Sequence, residues 1–412
     1  MLLYNAGVFF YYAIIRLAAL FNHKAKLWVR GRRHIFDQIK NDLAGKVQPG
    51  DKMLWFHCAS LGEFEQGRPV IENLKKRGYK IALTFFSPSG YEIRKDYEYA
   101  DAVFYLPIDT KANAKKFVEL VKPQAALFVK YEFWLNYLSE LHAHSIPFYL
   151  VSGVFRPEQH FFKWYGKNFF AALKNFKTLF VQDESSFNLL KQHGFTNMQL
   201  AGDTRFDRVM EIAANKKDFP SVRKFCNGSK VIVAGSSWPK DEQLLLKVFA
   251  QLLSESKNMK MILVPHEVDE VSMNDTLARV KDSGLSFARF TQGNFDDASV
   301  LVIDTIGMLS QIYQYATVAY VGGGFNDGIH NILEVFAHKV PVAFGPNYHK
   351  FVEAHEAEHA GIGKPVNSEA ELFAYFNTLL SYENKREEIG LQITKYMQRK
   401  TGATQGICKV FN

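Results

Sequence analysis

Residues 322–334 have the sequence Gly-Gly-Gly-Phe-Asn-Asp-Gly-Ile-His-Asn-Ile-Leu-Glu and directly follow the apolar run 316–321. This order predicts a strand, a glycine turn and a helix. Glycines let the backbone approach a ligand closely, and the free N–H groups of a helix start, with Asn331 beside them, suit a phosphate. Glu334, one turn into the helix, could accept both hydroxyls of a ribose. Three glycines could equally make only a tight turn.

Apolar runs alternate with helix-length segments along the rest of the chain, which predicts parallel, doubly wound sheets. In the first half we predict strands at 53–57, 80–86, 102–106, 125–129, 147–152, 178–182 and 199–202. After a polar stretch the count of strands restarts with 230–234, 260–264, 299–303, 316–321 and 340–344. The fold class is therefore α/β, with two Rossmann-like domains.

The predicted domain organisation has five parts. They are a membrane-associating amino-terminal helix with its basic flank (1–33), a first Rossmann-like domain (34–210), a linker (211–228), a second Rossmann-like domain (229–385) and a C-terminal helical segment that could pack back on the first domain (386–412). A length of 412 residues suits two domains, each able to bury its own core.

Composition and missing motifs exclude several classes of protein. Hydrophobic residues make up 47% and charged residues 22%, as in folded globular chains, and three widely spaced cysteines fit a reduced environment. The sequence has no G-x-x-x-x-G-K-[ST] loop and no dinucleotide-binding glycine fingerprint, which argues against an NTPase or an NAD enzyme. It also lacks a convincing D-x-D pair and a His/Cys cluster, so we expect neither a bound metal nor a cofactor.

The amino terminus combines apolar and basic residues. Residues 1–15 are almost wholly apolar or aromatic, and the first 33 residues contain no Asp or Glu but six basic residues, namely Arg16, Lys24, Lys26, Arg30, Arg32 and Arg33. This pattern favours a helix at or partly through a membrane, with its basic flank on anionic head groups at the cytoplasmic face. An amphipathic helix packed on the protein's own core is the alternative.

Two carboxylates follow predicted strands, where open α/β sheets bind ligands. Glu63 lies at the start of the helix after strand 53–57 and could act as a general base toward a hydroxyl, or it could serve only the helix dipole. Glu132 follows strand 125–129 and could equally be a salt-bridge partner.

Two further segments could meet phosphates. Basic and aromatic residues interleave over 156–170, which suits an amphiphile's phosphates or a membrane; single-stranded nucleic acid and an ordinary helix are the alternatives, and no other motif supports nucleic acid. The turn Gly235-Ser236-Ser237-Trp238-Pro239 could hold a phosphate with its hydroxyls and N–H groups, or could only cap a helix.

Together these segments resemble the 3-deoxy-D-manno-octulosonic acid (Kdo) transferases of lipopolysaccharide synthesis, which are GT-B glycosyltransferases with two doubly wound domains facing across a cleft. Six motifs carry the resemblance, in family order and over nearly the whole chain: 26–32 after an apolar amino terminus, His-Cys-Ala-Ser-Leu-Gly-Glu at 57–63, Ser-Pro-Ser-Gly at 87–90, Tyr-Glu-Phe-Trp at 131–134, Ala-Gly-Ser-Ser-Trp at 234–238, and Gly-Gly-Gly-Phe at 322–325 with His-Asn-Ile-Leu-Glu at 330–334.

The resemblance implies CMP-Kdo as donor, a lipid A precursor as acceptor, and inversion at the anomeric carbon without a metal. Glu63 matches the catalytic base and Glu132 a second functional carboxylate. The expected donor-binding residues are Arg205, Ser236, Ser237, His266, Met308, Gly323, Asn331 and Glu334, and the expected acceptor-binding residues are Ser87, Ser89, Arg156 and Lys163. The partners are then CMP-Kdo, the lipid A precursor and the inner-membrane surface, with no nucleic acid.

Three positions depart from the family pattern. Gly-Asn-x-Lys is replaced by Gly-Asp-Thr-Arg at 202–205, and Pro-Arg-His-Pro-Glu-Arg is reduced to Pro-His-Glu at 265–267, so that His266 stands in for a phosphate-binding arginine. The sequence Gly-Met-Leu at 307–309 lacks the acid that often follows its glycine. Donor contacts are therefore expected to differ in detail.

Two alternative functions remain open from sequence. One is a GT-B transferase or epimerase that uses another nucleotide sugar, which would share the glycine turns and Glu334 but need not have the Glu63 loop. The other is a non-catalytic nucleotide-sugar-binding protein at the membrane, in which Glu63→Gln would leave CMP binding unchanged. The number of Kdo residues transferred does not follow from the sequence.

Overall fold

A computed structural model describes residues 1–48, 50–255, 258–295 and 297–411. The chain forms two compact units, the first made of Met1–Asp207 and Lys400–Asn412 and the second of Arg208–Arg399. It enters the second unit within one helix and leaves it within another.

The first unit is built on a seven-stranded parallel sheet with strand order β3-β2-β1-β4-β5-β6-β7. Its strands are β1 (Met53–Cys58), β2 (Lys80–Phe85), β3 (Ala102–Tyr105), β4 (Ala125–Val129), β5 (Phe148–Gly153), β6 (Thr178–Val181) and β7 (Met198–Leu200). Its helices are α1 (Leu2–Ala18), α2 (His23–Arg30), α3 (Ile35–Leu43), α4 (Leu61–Lys76), α5 (Pro88–Arg94), α6 (Lys111–Val121), α7 (Leu135–Ala143), α8 (Lys167–Lys174) and α9 (Glu184–Gln192).

Both faces of this sheet are buried, as expected for parallel strands covered by helices. Because side chains alternate along a strand, Trp55 packs into the core on one face while Leu54 and Phe56 pack into the core on the other. Strand order reverses between β1 and β4, so the carboxyl ends of these neighbours mark the position where open α/β sheets bind ligands.

The second unit contains another seven-stranded parallel sheet, with strand order β10-β11-β9-β8-β12-β13-β14. Its strands are β8 (Lys230–Ser237), β9 (Met259–Pro265), β10 (Phe287–Arg289), β11 (Val300–Val302), β12 (Val318–Val321), β13 (Val342–Phe344) and β14 (Gly363–Pro365). The remaining helices are α10 (Thr204–Ala214), α11 (Pro220–Cys226), α12 (Pro239–Glu255), α13 (Glu270–Asp282), α14 (Leu309–Ile312), α15 (Leu333–Phe336), α16 (Val352–His359), α17 (Glu369–Ser381), α18 (Glu383–Lys400) and α19 (Ala403–Cys408).

The predicted fold class, two doubly wound parallel-sheet domains, is confirmed. Every strand predicted from the sequence is present to within a few residues, whereas β10 and β14 were not predicted. Residues 211–228, the predicted linker, contain the end of α10 and all of α11, whose Val222 and Phe225 are buried. The domain boundaries otherwise stay predictions.

The last helix, α19, belongs to the first unit. Ile407 and Cys408 are fully buried in the core on the Leu54 face of the first sheet, and the Cys408 carbonyl oxygen accepts a hydrogen bond from Arg77 at 3.0 Å. The Asp207 carboxylate accepts hydrogen bonds from the backbone of Gly402 and Thr404. Some of the last residues of the chain therefore complete the core of the first domain.

Helix α1 lies against the first unit through polar and aromatic contacts. The Tyr4 hydroxyl donates to Asp109, Asn136 donates to the Asn5 amide oxygen at 2.9 Å, and the Tyr4 ring meets the Phe169 ring edge-on. None of its side chains is buried, and several large apolar ones are exposed, including Leu2, Leu3, Phe9, Phe10, Ile14 and Leu17. Within the residues described, none of the helices has the length and apolarity needed to cross a membrane.

Candidate active site

A chain of hydrogen bonds fixes His57 near the carboxyl end of β1. The Thr84 hydroxyl oxygen lies 3.2 Å from the Phe56 carbonyl oxygen, 2.8 Å from Trp55 Nε1 and 2.9 Å from His57 Nδ1. Because the indole N–H can only donate and the carbonyl can only accept, the hydroxyl donates to Phe56 and accepts from both rings. His57 therefore carries a hydrogen on Nδ1 and presents Nε2 to the neighbouring strand end.

That neighbour holds Glu132, in the segment after β4. Glu132 Oε2 accepts a hydrogen bond from Trp134 Nε1 at 2.8 Å and lies 3.1 Å from His57 Nε2. The His57 side chain is fully buried, and that of Glu132 is only 12% exposed. Trp134 Nε1 also donates to His57 Nε2 at 3.0 Å, so one indole N–H lies between the imidazole and the carboxylate and holds both at the carboxyl end of the sheet. The sequence signal for His57 is a polar residue within an otherwise apolar strand.

Glu63 lies in the first turn of α4, at the end of β1. Its Oε2 accepts hydrogen bonds from the backbone N–H groups of Ala59 and Ser60, whereas Oε1 has no hydrogen-bond partner within the described part of the chain. Burial and, next, the charge of Glu132 raise the pKa of Glu63 to about 7, although the two N–H groups oppose the shift. One oxygen thus supports the helix start, and the other can exchange a proton near neutral pH.

Lys130 is a site residue that sequence reasoning missed. It directly follows β4 with a φ of 65°, a left-handed conformation that few non-glycine residues adopt and that often marks functional sites. Its Nζ donates to Gln182 Oε1 at 3.1 Å. Burial lowers the pKa of this amine, and the carboxylates of Asp203 and Glu63 oppose that change. The signal in the sequence is a lone lysine at the end of a buried apolar strand.

The predicted acceptor residues lie in two places in the first unit. Ser87 caps α5 by accepting a hydrogen bond from the Ser89 backbone at 3.2 Å, and the two hydroxyls lie 2.9 Å apart. Arg156 and Lys163 are exposed on the segment between β5 and α8. That segment is not one helix over 156–170, because short 3₁₀ turns precede α8.

In the second unit a glycine loop follows β12, and the helix predicted after it is present but short. Helix α15 begins only at Leu333, so Glu334 lies in its first turn. The loop keeps glycine for steric reasons: a Cβ on Gly322 would lie 2.2 Å from the Ser236 carbonyl oxygen, and one on Gly324 would lie 2.6 Å from the backbone of Gly345. The tight-turn interpretation thus accounts for these two glycines.

Asp241 of α12 connects this loop to the turn after β8. Its Oδ2 accepts hydrogen bonds from the backbone N–H groups of Gly323 at 2.8 Å and Trp238 at 3.0 Å, and its Oδ1 accepts one from the Tyr320 hydroxyl at 2.8 Å. The carboxylate is fully buried, and burial raises its pKa even though all three donors favour the charged form. One side chain therefore organises both loops at the switch point between β8 and β12.

Three rings stack at the carboxyl ends of β8, β9 and β12. The His266 ring centroid lies 4.7 Å from that of Trp238 and 4.3 Å from that of His330, and Trp238 Nε1 donates to His330 Nε2 at 3.0 Å. Burial and the neighbouring His266 lower the pKa of His330 to about 4. His330 is therefore a neutral acceptor at physiological pH, and His266 has a fixed place in the stack.

The other predicted donor residues differ in what their side chains can reach. The Ser237 side chain is buried and its hydroxyl donates to Glu242 at 3.1 Å, so it points away from any ligand, whereas Ser236 is partly exposed with a φ of 50°. Asn331 donates to Glu334 Oε1 at 3.2 Å and accepts from the Leu333 backbone. Met308 is largely buried.

Arg205 belongs to the first unit, unlike the other predicted donor residues. Its Nε and a terminal nitrogen of its guanidinium lie 2.9 and 2.7 Å from Asp203 Oδ2. A phosphate would therefore have to share this guanidinium with Asp203. Among the residues that the structure describes, no three His, Cys, Asp or Glu side chains are grouped to hold a metal ion.

Two doubly wound parallel-sheet units of this kind form the GT-B fold. The chain aligns with a crystal structure of Acinetobacter baumannii MurG over 87% of its own length and 98% of that protein, with a TM-score of 0.54 and 13% identity, which shows the fold alone.

Sequence comparison shows which proteins the chain is similar to. The family model described as 3-deoxy-D-manno-octulosonic-acid transferase matches residues 31–208. The chain is 29% identical to the 3-deoxy-D-manno-octulosonic acid transferase of Aquifex aeolicus (81% of this chain, 87% of the relative) and 28% identical to that of Chlamydia trachomatis serovar D (82% and 80%). The similarity to Kdo transferases that the motifs predicted thus extends over most of the chain.

Proposed function

We propose that this protein transfers Kdo from CMP-Kdo to a lipid A precursor, with inversion at the anomeric carbon and Glu63 as the general base. The observation that carries the proposal is the Glu63 carboxylate, which is anchored through one oxygen beside Glu132 and has a pKa raised to about 7. A base with a pKa near the working pH combines a deprotonated fraction with a useful proton affinity. Similarity to Kdo transferases supports the donor and acceptor.

In the proposed reaction, a hydroxyl oxygen of the acceptor attacks the anomeric carbon of Kdo. The bond from that carbon to the CMP phosphate oxygen breaks, and the hydroxyl proton passes to Glu63. Lys130 is the cation whose charge acts on Glu63, and it favours the carboxylate form that can accept this proton. Oε1 of Glu63 is the oxygen proposed to receive the proton, because Oε2 is held by the backbone.

Glu132 is proposed to lie beside the reacting sugar. Trp134 Nε1 donates to Glu132 Oε2 and to His57 Nε2, which lies 3.1 Å from the same Glu132 oxygen, and this leaves Oε1 for a substrate hydroxyl. We infer that His57 and Trp134 are positioning residues that fix this carboxylate. An ionised Glu132 would also stabilise positive charge that develops at the anomeric carbon.

On the donor side, the second unit is proposed to bind CMP. Backbone N–H groups near Ser236 and Asn331 would face the phosphate, and Glu334 would face the ribose. His266 is the residue proposed in place of the family's arginine, and donors aimed at the leaving phosphate would stabilise its developing charge without a metal. Ser237 contributes through its backbone alone, since its hydroxyl binds Glu242.

The acceptor would approach from a membrane surface at the cytoplasmic face of the inner membrane. The exposed apolar side chains of α1, together with Trp164 (83% exposed) and Tyr165 (62% exposed), form the apolar surface offered to lipid. Ser87, Ser89, Arg156 and Lys163 are proposed to bind the polar part of the acceptor.

The pH dependence of kcat/KM tests the roles of Glu63 and its neighbours. We expect the rate to fall as the pH drops below about 7, because only the Glu63 carboxylate can accept a proton. Glu132→Gln removes the negative charge that raises this pKa, so the acid limb should move to lower pH. Lys130→Met removes a cation that lowers the pKa, so the limb should move to higher pH. Shifts in the same direction for both variants would contradict the assignment.

Membrane association is tested by vesicle co-sedimentation. Phe9 and Phe10 are 68% and 64% exposed on α1, and replacing both by Ser should abolish most binding to vesicles that contain anionic lipid, since apolar burial is lost. The matched control replaces Ile93 and Leu391, which are 59% and 64% exposed elsewhere, by Ser and should bind as the wild type does. Equal loss in both double variants would argue against α1 as the anchor.

The reaction itself is tested by incubating the purified protein with a tetraacylated lipid A precursor and a CMP-Kdo supply in the presence of EDTA. Mass spectrometry of the lipid product should show a gain of one or more Kdo units, which also gives the number transferred. An unchanged lipid mass, with CMP-Kdo intact and the protein folded, would overturn the donor and acceptor pair.

A further inference from the structure

A cavity of about 380 Å³ lies in the first unit between the end of α1, the α2–α3 turn, the loop after β3 and the start of α6. Four cationic side chains line it: Arg16, Arg32, Arg33 and Lys116. Asp37 is the one acidic residue of the lining, and it lies 3.8 Å from His34. The cavity is therefore strongly positive.

Among the described residues, Arg32 has no carboxylate partner. Its three guanidinium nitrogens donate to the carbonyl oxygens of Leu106, Trp28 and Phe86 at 2.9, 3.1 and 2.8 Å. Its Cζ lies 3.7 Å from the centroid of the Trp28 ring. Carbonyl dipoles and an aromatic face fix the group in place, but they leave its full charge uncompensated.

The other three cations also lack carboxylate partners within the described ranges of the chain. Arg16 lies over the Tyr12 ring at 5.5 Å and Lys116 over the Phe36 ring at 4.5 Å, and no acidic side chain is within ion-pair distance of Arg16, Arg33 or Lys116. Four like charges around one cavity repel one another unless an anion joins them. We therefore expect an anion from outside the chain to bind in this cavity.

The position of the cavity limits the kind of anion. Tyr12 and Arg16 of α1 form part of its wall, so it lies beside the helix whose apolar side chains are exposed. A molecule with an apolar part on α1 and a phosphate in the cavity would satisfy both surfaces. Arginine binds phosphate oxygens in a fork geometry and keeps its charge in any physiological condition.

We propose that this cavity is a phosphate-binding site for a membrane amphiphile, with Arg16, Arg33 and Lys116 at the phosphate and Arg32 as the fixed charge behind it. The shared chemistry is a phosphate ester, which either a glycerophospholipid head group or a sugar phosphate could supply. The site extends the proposed membrane association, and it is independent of the Glu63 chemistry.

The test measures calorimetric binding of two soluble probes to the full-length protein. One is dihexanoylphosphatidylglycerol below its micelle-forming concentration, and the other is glucosamine 1-phosphate. Arg33→Gln with Lys116→Gln should weaken binding by roughly tenfold or more, because two charge-assisted contacts are lost. The control, Lys177→Gln with Lys191→Gln, removes the same charge from exposed positions outside the cavity and should bind as the wild type does.

The outcomes distinguish a lipid head group from a sugar phosphate as the ligand. They also distinguish failure of the cavity site from failure of the membrane anchor. Selective loss of phosphatidylglycerol binding assigns the site to a lipid head group, and selective loss of glucosamine 1-phosphate binding assigns it to a sugar phosphate. Equal weakening in both double variants, or no binding of either probe by the wild type, would overturn the site. Vesicle binding that depends on Phe9 and Phe10 in the same preparations would leave the membrane anchor standing after such a result.

Discussion

Replacing Glu63 by Gln is expected to lower kcat by about 100- to 10,000-fold while CMP-Kdo binding is retained, since a general base typically contributes that much. The amide oxygen of Gln can still accept the hydrogen bonds from Ala59 and Ser60, so the start of α4 should keep its conformation. The variant loses only the ability to take a proton from the acceptor hydroxyl. Single-turnover rates and calorimetric titration with CMP-Kdo measure the two quantities separately.

Glu65→Gln is the matched control for this variant. Glu65 is on the same helix, and its carboxylate pairs with Arg68 and Arg94 at 3.5 and 2.8 Å. Because the pair is partly exposed, its loss should change the rate little. Wild-type turnover in the Glu63→Gln protein would contradict the assignment of Glu63 as the general base. Unchanged CMP-Kdo binding without any wild-type turnover would favour a non-catalytic binding protein instead.

Asp241→Ala is expected to lower the free energy of unfolding by about 2–5 kcal/mol. The substitution leaves the buried N–H groups of Trp238 and Gly323 and the hydroxyl of Tyr320 without an acceptor, and an unpaired buried donor costs about 1–3 kcal/mol. Urea unfolding followed by circular dichroism measures the change. Binding of CMP-Kdo should weaken as well, because both loops at the switch point depend on this carboxylate.

Asp241→Asn provides the control for this effect. The amide oxygen can accept from both backbone N–H groups, and the amide nitrogen can donate to the Tyr320 hydroxyl oxygen, so most of the network survives. We expect this variant to lose far less stability than Asp241→Ala. Equal destabilisation by the two substitutions would mean that the negative charge, and not the set of hydrogen bonds, stabilises the loops.

The fold followed from the sequence because its strands are buried on both faces and therefore appear as continuous apolar runs. Strands β10 and β14 were not predicted because neither is an apolar run. Strand β10 has the sequence Phe-Ala-Arg, and β14 has the sequence Gly-Lys-Pro. The helix after the glycine stretch begins later than we predicted. The close backbone contacts that require Gly322 and Gly324 could not be foreseen, because they come from segments distant in sequence.

Only part of the candidate active site could be predicted from the sequence, for a similar reason. Spacing after strands identified Glu63 and Glu132 as candidates, but it could not show that His57 and Trp134 meet at one oxygen of Glu132. Nor could it show that the Ser237 hydroxyl points inward to Glu242 or that Arg205 already binds Asp203. Such partners depend on side-chain direction, which is set by packing between segments. The basic cavity could not be predicted from the sequence either, because Lys116 is far in sequence from the amino-terminal arginines.

The return of α19 to the first unit has a consequence for synthesis on the ribosome. Chains generally fold domain by domain as they emerge, yet here Ile407 and Cys408 of the first core are translated after the whole second unit. Part of the hydrophobic surface of the nascent first domain therefore stays uncovered until α19 has been synthesised. Premature termination near residue 400 should therefore damage the first domain and spare the second. A soluble first domain is best sought by joining residue 207 directly to residue 400.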